Sequence, residues 1–422
     1  MSIMRKIPRG DLRFALSLAL VTLLAPVATD MYLASMPEIA RQLEVSYARV
    51  QLTLTAFLLA QGAGQIFFGP LIDRFGRRGP LMAGIIVFMA SSAWAASAVS
   101  FDILLISRFV QGLAGALLLV TGFSSVRDIA DGPAAAKLFA VLLTIEGLAP
   151  IFAPIAGGYI NSAFGWRAVL LASALMGAAG LLNSFFSLPE SLPREKRLPL
   201  NPASIAATYR RIISDKSFIL PTFGLSAVFF YLFAYIGGGS YLYQDIYGLS
   251  SDSFGLVFGF SGSAVMAGAV TNSRLVRSRD VSQVAIGGII IIIAGTAISL
   301  AASLLGGFYG LVAGFVVALF GLGMAEPALV AMVMSSQKSA LGFTAALMGA
   351  MHLMLSSLST PVSGFLLPIS KDWWLVFLLV SAFGALLIAL AARRVYECPE
   401  DAAAAEIEGR VAQSLDLTCE GN

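Results

Sequence analysis

Charged side chains inside apolar segments are the residues of this chain that could carry chemistry. The stretch LLAPVATDMYLASMP, at 23–37, places Asp30 within an otherwise membrane-like helix. Arg108, Glu146 and the only histidine, His352, lie in three further apolar runs. An ionised group at membrane depth costs several kcal/mol and typically marks a path for protons, ions or substrate. These residue types therefore indicate proton exchange or ion binding inside a membrane.

The composition predicts the kind of protein that must hold these groups. The chain has 422 residues, of which 58% are hydrophobic and only 12% are charged, too few charges to cover a soluble domain. A helix needs about 20 residues to span the hydrocarbon of a bilayer. We expect an all-α membrane protein with twelve transmembrane helices, at about 14–36, 47–69, 81–99, 103–125, 137–160, 166–188, 218–243, 253–276, 284–305, 308–330, 341–366 and 373–396. Pro150, Pro154 and Pro361 are expected to interrupt the fifth and eleventh.

Basic residues predict how these helices are oriented. Of the 27 lysines and arginines, 22 lie on the side of both termini, four lie on the opposite side, and Arg108 lies within a helix. Loops rich in Lys and Arg stay in the cytoplasm, so both termini are expected to be cytoplasmic, in the inner membrane of a bacterial-type cell. Cys398 and Cys419 would then also be cytoplasmic, which argues against structural disulfides.

The longest polar stretch separates six helices from six. The predicted domains are an N-terminal six-helix bundle at 1–188, a central cytoplasmic loop at 189–217, a C-terminal six-helix bundle at 218–396 and a cytoplasmic tail at 397–422. Two pseudo-symmetric bundles of this kind typically surround a site near the middle of the membrane, as in secondary transporters.

The loop GPLIDRFGRRGPL, at 69–81, joins the second and third helices. Gly69 would permit close helix approach, Gly76 would permit the turn, and Asp73 lies one helical turn from Arg77, with which it could pair. Asp73 could instead lie at a helix N-terminus of the opposite bundle. The loop resembles the major facilitator superfamily signature G-x-L-x-D-R-x-G-R-[RK]; otherwise it is simply a basic cytoplasmic loop. The resemblance implies a cytoplasmic gate made of Gly69, Asp73, Arg74, Gly76 and Arg77.

The fourth helix, RFVQGLAGALLLVTGFSSVRD, places Arg108, Gln111 and two glycines on one face. It resembles the superfamily motif in which the arginine is linked to proton coupling. Asp30 and Arg108 lie at similar depth, roughly 8–9 Å below the outer surface. We expect them to share a polar cavity in which Asp30 gains and loses a proton. Two alternatives are a static ion pair that fixes the fold and an Arg108 side chain that snorkels outward.

The fifth helix contains EGLAPIFAPIAGG, at 146–158, with Pro150 and Gly157 on the same face as Glu146. It resembles the superfamily's antiporter motif G-x-x-x-G-P-x-x-G-G, with alanines at the two leading glycines and with Pro150 as an addition. The matching residues are Pro150, Pro154, Gly157 and Gly158. This form, with TDMYL at 29–33 and NSR at 272–274, resembles the bicyclomycin and chloramphenicol resistance branch. The resemblance implies export.

Further residues are candidates for the cavity. Glu146 is either a second proton carrier, or a site for cationic drugs, or a protonated, hydrogen-bonded acid. Tyr231 and Tyr235 either stack on a drug or belong to ordinary packing, and the glycines at 237–239 favour a bend. His352 either joins proton traffic or is a neutral ring bonded to a nearby carbonyl. The predicted cavity residues are Asp30, Gln111, Glu146, Pro150, Tyr231, Tyr235 and His352, and those predicted for proton coupling are Asp30, Arg108 and Glu146.

The sequence lacks the residues that several kinds of chemistry require. No lysine follows a glycine, which excludes a G-x-x-x-x-G-K-[ST] phosphate loop, and one histidine with two tail cysteines cannot build a typical metal site. We expect no enzyme activity, cofactor, metal or nucleic-acid partner. The sequence predicts a monomeric proton-coupled exporter, embedded in lipid, that exchanges protons for small amphipathic drugs such as chloramphenicol- or bicyclomycin-like compounds. The alternatives are an exporter of an endogenous metabolite or siderophore, and a proton-coupled importer of a small solute.

Overall fold

The computed structural model describes residues 10–130, 132–337 and 340–397. Beyond its first residue, the predicted tail at 397–422, with both cysteines and Arg410, lies outside the described residues. The same holds for the basic residues Arg5, Lys6, Arg9 and Lys338.

The described residues form helices and contain no β-strand. Eleven helices in these ranges are long and apolar enough to cross a membrane, and a bent pair provides a twelfth span. We number them spans 1 to 12: Gly10–Thr22 with Leu24–Leu33, Tyr47–Phe75, Arg78–Ala96, Phe101–Ile129, Gly132–Phe164, Trp166–Ser187, Lys216–Tyr241, Ser251–Leu275, Val281–Leu304, Phe308–Ser335, Leu341–Ser357 with Ser359–Leu366, and Lys371–Glu397. Shorter helices are Met36–Gln42, the 3₁₀ turn Arg194–Lys196, the loop helix Pro202–Ile213 and the π-helix Leu242–Ile246.

Spans 1–6 and spans 7–12 pack mainly among themselves, as the predicted two-bundle fold requires. The two halves meet along two seams, one between spans 2 and 11 and one between spans 5 and 8. We call the end that carries residues 69–78 the inner end and the end that carries residues 34–46 the outer end.

Span 1 bends by 42° between Thr22 and Leu24, which the sequence analysis did not predict. Pro26 has no N–H group and cannot bond to the Thr22 carbonyl, so the helix loses one hydrogen bond at this turn. Span 5 shows the opposite outcome: the predicted interruption is wrong, because one continuous helix runs through Pro150 and Pro154. The bend in span 1 lies seven residues before Asp30.

Span 11 is broken at Leu358, three residues before Pro361, as predicted. Pro361 has no N–H group to donate to the Ser357 carbonyl. That carbonyl instead accepts hydrogen bonds from the Thr360 hydroxyl at 3.1 Å and from the Thr55 hydroxyl at 3.3 Å. A neighbouring helix therefore satisfies the freed backbone group, which makes the break tolerable in a membrane.

The predicted bend at the glycines of span 7 is wrong, since the helix continues through them to Tyr241. These glycines serve close packing instead, because a Cβ on Gly238 would overlap the Trp374 ring and one on Gly239 would lie 3.2 Å from Phe258. The irregular turn follows as the π-helix Leu242–Ile246, a distortion that is frequent at functional sites.

Candidate functional site

Arg108 is fully buried within the first half. Its guanidinium lies 4.5 Å from the centre of the Tyr32 ring and 4.4 Å from that of Phe57, in cation–π geometry. Its Nη1 donates to Gln111 Oε1 at 2.5 Å, and Gln111 Nε2 donates to the Ser92 hydroxyl at 2.7 Å. Arg108 therefore does not snorkel outward; spans 1, 2 and 3 hold it inside the bundle.

Two donors of Arg108 stay free in this arrangement. Its Nε and Nη2 atoms are buried without a hydrogen-bond partner among the described residues. Asp30 is buried at 8% exposure. The ion pairs of the described residues join Arg41 to Asp245, Arg77 to Asp73 and Asp128, and Arg197 to Glu190. Neither Asp30 nor Arg108 takes part in one, so the static pair considered above is not formed.

Small residues fix the position of span 4 against its neighbours. A Cβ on Gly112 would overlap the Phe57 carbonyl, one on Gly115 would lie 2.9 Å from Ala25 Cβ, and one on Gly122 would overlap Thr22. The close approach predicted for this helix face is confirmed. Because span 4 packs this closely on spans 1 and 2, the positions of Asp30 and Arg108 are set by helix packing.

The glycines of the antiporter motif pack against carbonyl groups of two different helices. A Cβ on Gly157 would overlap the Met31 carbonyl of span 1, and one on Gly158 would overlap the Ser251 carbonyl at the start of span 8. Gly157 therefore places span 5 directly against the residue after Asp30. Gly158 belongs to the seam between the two halves.

Span 8 contributes its own glycines to this seam. A Cβ on Gly262 would lie 2.5 Å from the Pro150 carbonyl oxygen, and Cβ atoms on Gly255 and Gly259 would overlap the carbonyls of Pro154 and Ile151. The Pro150 carbonyl is the one that Pro154 leaves without an intrahelical donor. The sequence analysis missed these glycines, although their spacing of four and three residues places them on one helical face.

Among the described residues, Glu146 and His352 form no hydrogen bond or ring contact with Arg108. Glu146 is partly buried on span 5, and its Oε1 has no hydrogen-bond partner among the described residues. His352 Nδ1 lies 2.9 Å from the Met348 carbonyl oxygen, and its ring lies 4.5 Å from the Phe229 ring. The predicted contact of His352 with a neighbouring carbonyl is confirmed, whereas the roles of both residues in proton traffic stay predictions.

The tyrosines of span 7 are enclosed by the second half in this conformation. Tyr231 and Tyr235 are each 1% exposed. The hydroxyls of Tyr231 and Thr296 lie 2.7 Å apart, and the Tyr235 ring stacks at 5.3 Å on Phe258. Their part in a substrate cavity stays a prediction. Tyr243, in the π-helix that follows span 7, is also fully buried.

The residues of the predicted cytoplasmic gate, at the inner end, are centred on Arg77. Its Nη1 pairs with Asp73 at 2.7 Å, as predicted, and its Nε pairs with Asp128 of span 4 at 2.8 Å. Burial disfavours the charged form, but the carboxylates of Asp128 and Asp73 outweigh it and raise the pKa of Arg77 above its ordinary value. Asp73 thus pairs within its own half. The sequence analysis missed Asp128, which pairs across 51 residues.

Glu190 caps the start of span 3 from a distant part of the chain. Its carboxylate accepts hydrogen bonds from the backbone N–H of Arg77 at 2.8 Å and of Arg78 at 3.4 Å. Gly76 has a φ of +92°, and a Cβ there would lie 2.5 Å from Glu190 Oε2. Gly76 is therefore needed both for its backbone conformation and for the closeness of the cap.

Two predicted gate residues behave differently. Gly69 was expected to allow close helix approach, but no described atom lies within 4 Å of the place where its Cβ would be. That expectation is wrong for this conformation, because span 2 has no neighbour against this face. Arg74 is exposed, and its guanidinium lies 5.9 Å from the Phe75 ring.

The outer ends of the two halves are held together by side chains that bond to backbone carbonyls. The Gly237 carbonyl accepts from Tyr47 Oη at 2.7 Å and from Gln51 Nε2. Ser240 Oγ donates to the Leu33 carbonyl at 2.6 Å. We call this network the outer lock; it comprises Arg41, Tyr47 and Gln51 of the first half, and Ser240, Gln244 and Asp245 of the second.

Within the described ranges, the hydrogen bonds that join one half directly to the other lie in the outer halves of the spans. The inner end is bridged instead by the loop helix, whose Tyr209 hydroxyl donates to the Ile66 carbonyl at 2.8 Å. The structure is therefore closed at its outer end.

The sequence profile of the family described as the Major Facilitator Superfamily matches residues 18–351. The chain belongs to this superfamily. It is a multi-pass membrane protein of a transporter family, as the twelve spans and the paired halves require.

Relatives within the superfamily support the predicted branch. The chain is 32% identical over 368 residues to the uncharacterised MFS-type transporter YdgK of Bacillus subtilis, across 85% of this chain and 90% of that protein. It is 35% identical to the bicyclomycin resistance protein homologue of Haemophilus influenzae, across 62% of this chain and 66% of that protein. It is 33% identical to the multidrug resistance protein MdtL of Escherichia coli, across 43% of this chain and 46% of that protein.

The fold of the superfamily is also found in a solved structure. The human organic anion transporter MFSD10 (TETRAN) superposes with a TM-score of 0.66 at 17% identity, over 92% of this chain and 100% of that chain. At this identity the likeness supports the shared architecture alone.

Proposed function

We propose that this protein is a proton-coupled antiporter that exports small amphipathic drugs across the cytoplasmic membrane by alternating access. The observation that carries the proposal is Asp30, a buried carboxyl in a membrane span that takes part in no ion pair with the described residues. Without a cationic partner, a carboxyl at this depth is stabilised by taking up a proton. Proton uptake and release at Asp30 is therefore the coupling step.

Arg108 is the group that responds to the charge of Asp30. Its two free N–H donors can receive a carboxylate, and charge-assisted hydrogen bonds of this kind are roughly twice as strong as neutral ones. Substrate in the central cavity would favour release of the Asp30 proton, so that proton and drug exclude each other. One charge moved across about 100 mV supplies roughly 2.3 kcal/mol, which can drive modest export.

The moving units are the two halves, 1–188 and 218–396, which the central cytoplasmic loop at 189–217 connects. With both termini in the cytoplasm, the outer lock faces the outside of the cell and opens to release drug. The inner gate, made of Gly69, Asp73, Arg74, Gly76 and Arg77, limits access from the cytoplasm. The seam between spans 5 and 8 lets the halves rock against each other. The working unit is a monomer.

Drugs resembling chloramphenicol and bicyclomycin are the first candidate substrates. The support comes from the motif forms in spans 1 and 5 and from relatives named as bicyclomycin or multidrug resistance proteins. Cells that produce the protein should tolerate more of such a compound than cells that do not. Inverted vesicles with an acidic lumen should accumulate it; loss of drug from the lumen under the same gradient would point to a proton-coupled importer.

The test uses purified protein reconstituted in liposomes in the inside-out orientation, with an imposed pH gradient. Asp30→Asn should abolish gradient-driven drug accumulation, and Asp30→Glu should keep part of it. Asp102→Asn is the matched control, because Asp102 is an exposed acid at the outer end of span 4. Full gradient-driven transport by Asp30→Asn would refute the coupling role.

A further inference from the structure

At the inner end, Arg74 and Arg197 line a cavity of about 350 Å³ together with Phe75, Leu198 and Pro199. Arg74 lies in the last turn of span 2, whereas Arg197 belongs to the segment that connects the two halves. The Leu198 N–H donates to the Asp73 carbonyl at 3.1 Å. This backbone bond fixes the connecting segment beside span 2 and so brings the two arginines to one cavity.

The acidic side chains near this cavity are already engaged by other groups. Asp73 and Asp128 are both engaged by Arg77. Glu190 lies 3.5 Å from Arg197 Nη2, but its carboxylate is shared with the backbone N–H groups at the start of span 3.

The two arginines of the cavity keep free donors. Arg197 Nε is buried without a hydrogen-bond partner in the described part of the chain. Arg74 forms none of the ion pairs found among the described residues and touches only the Phe75 ring in cation–π geometry. The cavity therefore presents a guanidinium without an ion pair, on Arg74, and a free N–H donor on Arg197, which is the chemistry that receives a phosphate group.

The rim of the cavity is apolar and exposed. Phe75 is 56% exposed and Leu198 is 63% exposed. A soluble phosphate would leave both side chains in water, whereas a phospholipid would cover them with its acyl chains while its phosphate reaches the arginines. Basic pockets beside membrane spans on the cytoplasmic side are known to bind anionic lipid headgroups.

We propose that this cavity binds the phosphate of an anionic phospholipid from the leaflet at the inner end. The bound lipid would link the end of span 2 to the connecting segment and so support the inner gate. The proposal explains Arg74, which the ion-pair network of the gate does not use. It does not depend on proton coupling or on the identity of the exported compound.

Native mass spectrometry of the purified full chain tests the proposal, with phosphatidylglycerol as the probe. The affinity for the most tightly bound phosphatidylglycerol should fall about fivefold for each arginine removed. One such step is expected in Arg74→Gln and two in the double variant Arg74→Gln with Arg197→Gln. The matched control is Arg277→Gln with Arg279→Gln, which removes two exposed charges from the loop after span 8. The control should bind the lipid as the wild type does.

Two comparison ligands identify the source of the phosphate. Phosphatidylcholine should bind more weakly than phosphatidylglycerol, and soluble glycerol phosphate should not compete with the lipid. Equal lipid affinity of the wild type and the Arg74→Gln variant would overturn the proposal, and so would tight binding of glycerol phosphate in place of the lipid. Arg74→Gln keeps the test decisive should the double variant not fold, because Arg74 forms none of the observed ion pairs.

Discussion

Asp30 and Arg108, which the sequence places at one depth in the first half, do not form an ion pair. Arg108 is held between the rings of Tyr32 and Phe57 and by Gln111. In this position the guanidinium is stabilised by cation–π contacts and one hydrogen bond, while two donors stay free. We interpret Arg108 as a binding group whose free donors are positioned for a carboxylate, rather than as one half of a structural salt bridge.

Replacing Arg108 by lysine tests this interpretation. The variant keeps the positive charge but loses the planar fork, so it cannot hold Gln111 and also offer two parallel donors. We expect gradient-driven export to fall at least about tenfold, or about 1.4 kcal/mol in transition-state terms. Arg49→Lys is the control, because Arg49 lies 4.5 Å from the Phe101 ring at an exposed site. Equal losses in the two variants would show that stacking alone matters.

A larger side chain at Gly259 should have a strong effect, because this residue lies in the seam between spans 5 and 8. A Cβ there would overlap the Ile151 carbonyl, a backbone atom that cannot move without shifting the helix. Gly259→Ala should destabilise the protein by about 1–3 kcal/mol and slow export. Gly287→Ala in span 9 provides the comparison, since no described atom lies within 4 Å of its Cβ position. The midpoint of thermal unfolding in detergent is compared for the two variants. Equal midpoints would show that the packing of the seam does not require glycine at position 259.

The outer lock predicts that fixing Ser240 to Leu33 stops transport. The hydroxyl of Ser240 bonds to the Leu33 carbonyl across the two halves. In a chain whose own cysteines are replaced by serine, Leu33→Cys with Ser240→Cys should lose export on oxidation and recover it on reduction.

A second cysteine pair controls for oxidation itself. Ser303 and Asp372 both lie in the second half, 2.7 Å apart through their side-chain oxygens. A disulfide between cysteines at these positions should leave export unchanged. Transport by the oxidised Leu33–Ser240 pair, with the disulfide verified by gel shift, would show that the outer lock need not open.

Glu190→Gln tests the remote cap of span 3. The variant keeps the shape but loses the negative charge that two backbone N–H groups and Arg197 share. We expect the free energy of unfolding to fall by about 0.5–2 kcal/mol, the usual range for the loss of a helix cap. Glu195→Gln, an exposed glutamate of the same connecting segment, should have little effect. Unfolding midpoints that match in the two variants would argue against a cap.

The sequence predicted what depends on local pattern. The twelve spans follow from runs of apolar residues, and the Asp73–Arg77 pair follows from a spacing of one helical turn. The packing of Gly112 and Gly115 follows from the repeat of small residues on one face. In each case the residues that form the pattern are close in the chain or share one helix.

The features that the sequence did not predict depend on groups far apart in the chain or on the backbone. Glu190 reaches Arg77 across 113 residues, and Ser240 reaches Leu33 across 207. The outer lock uses carbonyl acceptors, which every residue carries and which therefore leave no sequence signature. The bend in span 1 depends on whether a proline is tolerated by its neighbours, and span 5 shows that two prolines can be.

Proton release on drug binding is the direct measure of coupling at Asp30. Purified protein in weakly buffered detergent solution is mixed with a transported compound, and a pH-sensitive dye records the protons set free. We expect release by the wild type that saturates with drug, and none by an Asp30→Asn variant that still binds the compound. Undiminished release by that variant would show that Asp30 does not carry the exchanged proton.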